Sequence, residues 1–415
     1  MALTAKVSMT TGARTAAVAW LVTAIYYFYQ YALRSAPAVM MPQLSESFGL
    51  STMAVASMAG LFYYGYSPFS LVAGAAMDRI GPRQVVPIGA AMVGVGALLF
   101  ATGQSGLASA GRFIQGAGGV FALVGAAYIA TTNFPASRAA TLIGATQMFG
   151  MAGGSAGQFV VGPLIGAGVP WSVFWGVMGV AGLAISVLLY LLLPPSKRVT
   201  AVGANGVWRS LSTVFRNPQS ILCGMIAGLL FIPTTIFDMT WGVRYLEQAR
   251  GVDYASAVLR SATVPLGWMI GCPLLGAVSD RIGRRKPVIV GGGAVLLACM
   301  AWALYGEAGV FPPYVVGVVA GIASGAAMLP YTVIKEANRP EDSGMATGVV
   351  NFLNFTFSAL LGPVFGRMLG GTTLEHFQRA FTPMLYGIVA AIVLTFCLKE
   401  TGSLRPVPQL NVSVS

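Results

Sequence analysis

The side chains best suited to chemistry in this chain are a few ionisable groups that lie within long apolar stretches. Cations outnumber acids among them, and Asp238 is the carboxylate that lies furthest inside such a stretch. Ionisable groups at such positions are costly to bury and are usually functional. A guanidinium there can bind a carboxylate or a phosphate, and a carboxylate can carry a proton. The set is Arg34, Arg112, Asp238, Arg244, Arg260, Lys335, Glu336 and Arg367.

Arg34 ends a row of polar side chains on the first apolar stretch. Tyr27, Gln30, Tyr31 and Arg34 recur at i, i+3, i+4 and i+7, and therefore share one face of a helix. Hydroxyls, an amide and a guanidinium are wrong for a lipid-facing surface but suit a polar cavity. We therefore predict that this face binds substrate. The alternative is that Arg34 only reaches out to the membrane surface.

Asp238 is predicted to face Arg34, because the sequence repeats itself. "DRIG" occurs at 78–81 and again at 280–283, an offset of 202 residues. That offset carries Arg34 to about position 236, close to Asp238, and Trp241 shares the helical face of Asp238. We expect the two charges to pair when the site is empty, and protonation of Asp238 to free Arg34 for an anion. The alternative is a static structural ion pair.

Further polar side chains lie in other apolar stretches. They are Tyr63 in the second, Gln147 in the fifth, and Asn351 and Asn354 in the eleventh, and those of the fifth and eleventh stretches come from corresponding places in the two repeats. Each could simply hydrogen-bond one helix to another. Their convergence favours a lined pocket, so we predict that they contact the substrate.

The composition places these residues in a membrane protein. The chain has 415 residues, of which 56% are hydrophobic and 9% are charged, and its mean hydropathy is +0.75. A soluble domain carries roughly 25% charged residues. The formal charge of +12 would suggest nucleic acid in a soluble protein, but here the bases flank apolar runs, so no nucleic-acid partner is expected.

Several classes of protein are excluded by motifs that the sequence lacks. The four cysteines form no CxxC pair, and the single histidine, His376, cannot build a zinc site. The chain contains no Walker-type G-x-x-x-x-G-K-S/T, so ATP does not drive it. We predict no enzymatic activity, no cofactor and no metal.

Twelve membrane-spanning helices are predicted from the apolar runs. Their approximate limits are 16–42, 52–77, 84–104, 107–132, 138–168, 171–193, 219–246, 255–278, 286–306, 311–335, 343–370 and 378–398. The predicted fold is an all-α polytopic membrane protein of two pseudo-symmetric six-helix bundles, the architecture of secondary transporters. Its parts are an N-terminal bundle (1–193), a cytoplasmic linker (194–218), a C-terminal bundle (219–399) and a disordered cytoplasmic tail (400–415).

Lysine and arginine predict the orientation of these helices. They concentrate in alternate loops, and the opposite loops clearly hold Arg250 and Arg379 alone. By the positive-inside rule, both termini lie in the cytoplasm. We predict a multi-pass protein of the cell membrane whose first helix is retained and is not a signal peptide.

Four motifs in the right order resemble the major facilitator superfamily, and the resemblance covers nearly all of the chain. The family's loop motif G-x-x-x-D-R-x-G-R-R/K is matched by Gly74, Asp78, Arg79, Gly81 and Arg83, with Pro82 as a departure, and again by Gly276, Asp280, Arg281, Gly283, Arg284 and Arg285. The family's R-x-x-Q-G-x-G stands as Arg112, Gln115, Gly116 and Gly118, and its G-P-x-x-G as Gly162, Pro163 and Gly166. The resemblance implies a secondary transporter that works by alternating access, here of a bacterial inner membrane.

The resemblance also implies roles for particular residues. It gives Arg112 a coupling or binding role, against a structural hydrogen-bonding alternative. It implies a cytoplasmic gate that holds the halves together, against simple topology anchoring, and we expect Glu336 to pair with Arg284 there. The predicted gating residues are Asp78, Arg79, Arg83, Asp280, Arg281, Arg284, Arg285, Lys335 and Glu336.

The excess of cations over acids within the spans favours an anionic substrate. We predict proton-coupled symport of a small organic anion, such as a carboxylate, with Asp238 or Glu336 carrying the proton. The expected partners are that anion, protons and the lipid bilayer, with the monomer as the functional unit. Two alternatives are proton-driven efflux of drugs or siderophores, which the 19 methionines would suit, and a non-transporting membrane sensor or scaffold.

Overall fold

The computed structural model describes most of the chain. It covers residues 2–134, 136–194, 204–307, 312–339 and 342–402, and it omits the side chains of 2–13, 78–79, 136–141 and 204–205. The side chains of Asp78 and Arg79, most of the predicted linker before 204 and the predicted tail from 403 onward lie outside this part. We call the described residues up to 194 the first half and those from 204 the second half.

Every regular element among the described residues is helical. The α-helices are α1 Ala2–Ser35, α2 Met41–Phe48, α3 Thr52–Ile80, α4 Pro82–Ala101, α5 Ser105–Asn133, α6 Ala136–Phe159, α7 Val161–Gly166, α8 Trp171–Leu192, α9 Ala204–Arg216, α10 Pro218–Ile232, α11 Tyr254–Ile282, α12 Lys286–Tyr305, α13 Pro313–Ser324, α14 Leu329–Glu336, α15 Ser343–Leu369 and α16 Leu374–Cys397. Two short 3₁₀-helices, Ala36–Val39 and Gly325–Met328, and two π-helices, Pro233–Gly242 and Tyr245–Ala249, join some of them.

The predicted membrane class is confirmed by the length and composition of the helices. Within the described residues, eleven segments are long and apolar enough to cross a bilayer. The remaining predicted span falls on α3, a helix of 29 residues, which extends for about 43 Å at 1.5 Å per residue. A hydrocarbon core is about 30 Å thick, so α3 is also long enough to cross it.

Four predicted spans are less regular than the sequence pattern suggests, and the first of them, 16–42, passes from α1 through the 3₁₀-turn Ala36–Val39 into α2. The span at 219–246 begins as α10 and continues as the π-helix Pro233–Gly242. Pro233 has no amide N–H to donate to the carbonyl four residues earlier, so the regular series of α-helical hydrogen bonds is interrupted there. The spans at 138–168 and 311–335 are likewise interrupted, between α6 and α7 and by the 3₁₀-turn between α13 and α14.

Glycines of the R-x-x-Q-G-x-G motif let the helices of the first half pack closely. A Cβ added at Gly116 of α5 would lie 1.9 Å from the carbonyl oxygen of Phe62 in α3. One added at Gly118 would lie 2.4 Å from the carbonyl oxygen of Gly89 in α4. Real Cβ atoms do not approach an oxygen so closely. The spacing of the two glycines therefore brings α3 and α4 against α5.

The two halves meet along two helix pairs, α3 with α15 and α6 with α11. Ser67 on α3 donates a hydrogen bond of 2.8 Å to the carbonyl of Phe352 and lies 2.7 Å from the Thr356 hydroxyl. At the end of the molecule predicted to face outward, the Tyr254 hydroxyl donates to the carbonyls of Val39 (2.7 Å) and Gly162 (3.2 Å). Polar contacts thus join the halves along α3 and α15 and, at the outer end, between α11 and both α7 and the 3₁₀-turn Ala36–Val39.

Candidate functional site

The Arg34 guanidinium lies inside a cage of aromatic rings between the two halves. Four of the rings come from α1 and α3, and the fifth is supplied by α15 of the second half. The distances from Arg34 Cζ to the ring centroids are 4.6 Å for Tyr31, 4.8 Å for Phe62, 5.0 Å for Tyr63, 5.1 Å for Tyr66 and 4.6 Å for Phe355. Aromatic faces attract a cation at such distances, so the rings hold the charge without neutralising it.

Arg34 is buried but has no hydrogen-bond acceptor. It is 3% exposed, and none of its three guanidinium nitrogens has an acceptor within the described part of the chain. Buried charges are normally paired with an opposite charge or fully hydrogen-bonded. The space beside it is about 10 Å³, roughly enough for one water molecule. The cage therefore presents unused donors in a site that is closed in this structure.

The polar stripe predicted on the first helix lines the approach to this cage. The Tyr27 hydroxyl donates 2.9 Å to Gln147 Oε1 on α6 and lies 3.4 Å from the Tyr31 hydroxyl. Gln30 is fully buried, and neither atom of its amide has a partner among the described residues. The structure thus brings Tyr27, Tyr31, Arg34 and Gln147 together as one connected group.

The second half contributes a matching polar group from α15. The Tyr331 hydroxyl donates 2.6 Å to Asn351 Oδ1 and accepts 2.9 Å from Asn354 Nδ2. Asn351 Nδ2 and Asn354 Oδ1 are buried without a partner among the described residues. Since Asn351 lies one helical turn before Phe355, this group adjoins the cage.

Arg112 borders the same small space as Arg34, and four of its five N–H donors are already used. Its Nη1 donates 3.1 Å to the carbonyl of Leu33 and 2.8 Å to Gln115 Oε1. Its Nε and Nη2 donate 3.2 and 3.1 Å to the carbonyl of Ala59. These contacts connect α5 to α3 at Ala59 and to α1 at Leu33, the residue before Arg34. The geometry therefore suits Arg112 to position Arg34, which is the structural alternative to a binding role.

The expected pairing of Arg34 with Asp238 is not found. Asp238 is 5% exposed, and its Oδ1 accepts 2.9 Å from the Ser261 hydroxyl of α11, within the second half. Its neighbours Met239 and Thr240 border the space beside Arg34 instead. The 202-residue offset places the equivalent of Arg34 at Ile236, and Asp238 lies two residues further on, which turns a helical side chain by about 200°. The π-helix Pro233–Gly242, with i→i+5 bonding, changes the spacing of the faces as well. Trp241 is buried in this π-helix and lies close to Gly366.

The predicted pair of Glu336 with Arg284 is wrong. Arg285 is the partner, with Nη2 2.8 Å from Glu336 Oε1 and Nη1 2.5 Å from Asp280 Oδ1. Gly283 ends α11 in the left-handed conformation (φ 65°) and reverses the chain, so Arg285 points back at α11 and α14 while Arg284 remains exposed. Burial acts to lower the pKa of Arg285, but hydrogen bonds and charge from Glu336 and Asp280 raise it above its ordinary value.

This charge cluster joins helices of the second half to one another, and it forms no ion pair with the first half among the side chains that the structure describes. Glu400, after α16, accepts hydrogen bonds from the backbone amides of Arg285 (2.6 Å) and Lys286 (3.2 Å). Arg83, from the first copy of the motif, lies 5.5 Å from the Tyr190 ring in its own half. Lys335 forms no ion pair with any residue that the structure describes, and Arg281 is exposed.

Four residues of the cage region were missed by the sequence reasoning. They are Phe62, Tyr66, Tyr331 and Phe355. Tyr66 follows Tyr63 at i+3 and Phe355 follows Asn351 at i+4, so helical spacing from predicted residues would have found both. Phe62 and Tyr331 had no such signal, because their roles depend on how α3 and α14 pack.

Comparison with known proteins identifies the family. The sequence model of the Major Facilitator Superfamily matches residues 23–363. The chain belongs to the Major Facilitator Superfamily. It is therefore a multi-pass membrane protein of a transporter family and not an enzyme.

Individual relatives are distant. The chain is 26% identical to the probable sulfoacetate transporter SauU of Cupriavidus necator (68% of this chain, 69% of the relative). It is 26% identical to the membrane sensor protein UhpC of Salmonella typhimurium (91% and 89%) and 25% identical to a hexuronate transporter of Bacillus subtilis (80% and 83%). Among solved structures, a bacterial homologue of the human lysosomal transporter Spinster, inward-facing and unoccupied, superposes with a TM-score of 0.68 at 15% identity (92% and 96%). That likeness concerns the fold.

Proposed function

We propose that this protein is a secondary transporter that moves a small organic anion across the membrane by alternating access. The observation that carries the proposal is Arg34, a buried guanidinium between the halves with no acid and no hydrogen-bond acceptor among the described residues. A planar guanidinium can grip a carboxylate, sulfonate or phosphate group with two parallel hydrogen bonds.

The neighbours of Arg34 support an anion with further polar groups. Asn351 Nδ2 and Gln30 Nε2 are buried donors without acceptors in the described part of the chain. Two relatives are named as transporters of organic anions, one of sulfoacetate and one of hexuronate. A short anion that also carries acceptor oxygens would use the guanidinium and the amides together.

The binding step also supplies a reason for the halves to move. The cage takes four rings from the first half and Phe355 from the second, so an anion on Arg34 contacts both halves. Since the space there is about 10 Å³, substrate can enter only when α15 moves away from α3. The Ser67 hydrogen bonds between these helices would then break and re-form in each cycle.

We further propose that a proton accompanies the anion and that Asp238 carries it. Glu336, the other predicted carrier, is engaged by Arg285, whereas Asp238 has no cationic partner within 4 Å among the described residues. Arg34 and Asp238 do not touch, so anion binding and protonation would be coupled through the π-helix Pro233–Gly242. Its residues Met239 and Thr240 border the small space beside Arg34.

A second candidate function is a sensor that binds the same anion without transporting it. The relative UhpC, named as a membrane sensor, aligns over 91% of this chain. Both functions use the same Arg34 site, so binding alone does not separate them. Net movement of substrate does.

Uptake by proteoliposomes tests the proposal. Purified protein is reconstituted, and entry of labelled sulfoacetate, glucuronate and other small anions is followed with and without an inward proton gradient. We expect gradient-driven accumulation of at least one anion and no accumulation with Arg34→Ala. The exposed Arg367→Ala is the matched control and should accumulate as wild type does. Binding without uptake would support the sensor, and uptake of lipophilic cations instead of anions would refute the proposal.

A further inference from the structure

The second half contains a larger cavity that is separate from the Arg34 cage. It measures about 330 Å³ and lies between the end of α10 with its π-helix, α11, α12 and α13. No residue lines both this cavity and the small space beside Arg34. Ligand pockets begin at about 300 Å³, so a small organic molecule fits. We call it the second-half cavity.

The inner end of the second-half cavity carries the Asp238 carboxylate. Oδ1 accepts a hydrogen bond of 2.9 Å from Ser261, but Oδ2 is buried and has no donor among the described residues. The side chain is 5% exposed. A carboxylate oxygen buried without a partner favours a charged donor, and an ammonium group supplies both the charge and the hydrogen bonds.

The outer end of the cavity carries two arginines in different situations. Arg250 is fixed to the wall, because it donates to the Tyr245 hydroxyl and to the carbonyls of Ala303, Leu304 and Gly306 at 2.7–3.0 Å. Arg260 Nε is buried without an acceptor in the described part of the chain, and its Cζ lies 6.0 Å from the Tyr314 ring. Glu307 also lines the cavity, but Arg260 forms no ion pair with it or with any other described acid, so Arg260 is the cation available to an anionic group.

The wall between these ends is mainly apolar. It includes Phe237, Val264, Leu296, Met300 and Ala320. A ligand that fits it has an apolar middle and opposite charges at its two ends.

We propose that the second-half cavity binds a small zwitterion, with its ammonium on Asp238 Oδ2 and its anionic group on Arg260. Asp238 and Arg260 line the same cavity, and each has a buried polar atom that such a ligand would satisfy. The binding does not rest on the proposed transport function. Where Asp238 also carries the coupling proton, the ammonium and the proton compete for one oxygen, so bound zwitterion inhibits proton-coupled uptake of the anion.

Isothermal titration of the purified full-length protein in detergent tests the proposal. The probes are ω-amino carboxylic acids of three to eight carbons, with alkylamines and carboxylic acids of equal length as controls. We expect one chain length to bind best and the matched alkylamine to bind more weakly. Asp238→Asn should weaken binding of the best amino acid by at least about 30-fold, and Arg260→Gln should reduce it to the level of the alkylamine.

Two further variants keep the result interpretable. Asp238→Glu retains the charge but extends one methylene further into the cavity, so the preferred ligand should become shorter. Arg34→Ala removes the cage cation, which can itself bind a carboxylate, so the binding of the amino acids that remains in this variant measures the second-half cavity alone and should keep the same preferred chain length. Equal binding by wild type and Asp238→Asn, loss of binding in Arg34→Ala, or no binding by any member of the series would overturn the proposal.

Titrations in lipid nanodiscs distinguish a free zwitterion from a lipid headgroup as the natural ligand. A phosphatidylethanolamine headgroup carries the same two charges as the amino acids. The titration is therefore repeated in nanodiscs of phosphatidylethanolamine and of phosphatidylcholine. Binding that persists in both assigns the site to a free zwitterion, and binding that is lost only with phosphatidylethanolamine assigns it to the headgroup.

Discussion

Replacement of Arg34 gives the sharpest test of the aromatic cage. None of the guanidinium nitrogens has an acceptor among the described residues, so all of its donors are free for an anion. A bidentate grip makes two charge-assisted hydrogen bonds, each worth about 1.5–3 kcal/mol. Loss of both in Arg34→Ala costs about 3–6 kcal/mol, which raises Kd by about 10² to 10⁴.

Arg34→Lys separates charge from geometry. The ammonium remains within a cage whose rings lie 4.6–5.1 Å from the native Cζ, and it still attracts an anion. It lacks the planar fork, so one of the two parallel hydrogen bonds is lost. We expect Kd to rise by about 10- to 150-fold, the equivalent of roughly 1.5–3 kcal/mol.

Calorimetric titration with the anion selected by the uptake screen measures both variants. Arg367→Lys, at an exposed position, is the control for a general effect of changing an arginine, and it should stay within about 0.5 kcal/mol of wild type. If Arg34→Ala binds the anion within a factor of three of wild type, the anion does not bind Arg34. The reasoning from its unused donors would then be refuted.

Three further variants test other parts of the structure. Arg285→Ala should lower the free energy of unfolding by about 1–2 kcal/mol, since its two ion pairs, with Asp280 and Glu336, lie near the surface and each contributes up to about 1 kcal/mol. The exposed neighbour Arg284→Ala should change it by under about 0.5 kcal/mol in the same denaturant titration. Gly116→Ala should abolish the folded, monodisperse peak in size-exclusion chromatography, because its Cβ would meet a backbone oxygen at 1.9 Å, while Gly60→Ala, with open space around it, should keep the peak. Asp238→Asn should remove substrate-induced proton uptake in detergent but spare exchange of labelled for unlabelled anion; unchanged uptake would assign the proton to another group.

The parts of the site that follow a local helical pattern were predictable from the sequence. Tyr27, Tyr31 and Arg34 share a face because α1 is regular over that stretch. The membrane class and the motif glycines were equally accessible, since apolar length and the small size of glycine act locally. The family resemblance is confirmed by the match over residues 23–363.

The parts that failed depend on departures from regular helix. Asp238 faces away from Arg34 because it lies two residues beyond the equivalent position, Ile236, and within a π-helix that changes the spacing of the faces. Arg285 replaced Arg284 as the partner of Glu336 because a left-handed glycine set the direction of the following turn. Phe355 reached Arg34 only through the packing of α15 on α3. The π-helix and the left-handed glycine leave no periodic signal in one sequence, and the spacing of Phe355 from Asn351 gives the face on which it lies but not the helix that it meets.

The helices that the two halves bring to the centre are wound differently at their outer ends. The first ends in the tight 3₁₀-turn Ala36–Val39 and the second in the wide π-helix Pro233–Gly242. Each residue added to or removed from a helical turn rotates the side chains that follow by about 100° around the helix axis. A chain made of two copies would otherwise present the same position of each copy to the shared axis. Rewinding one helix breaks that symmetry without adding or removing a span, and the second copy, with the apolar Ile236 at the position equivalent to Arg34, leaves the axis to the guanidinium of the first.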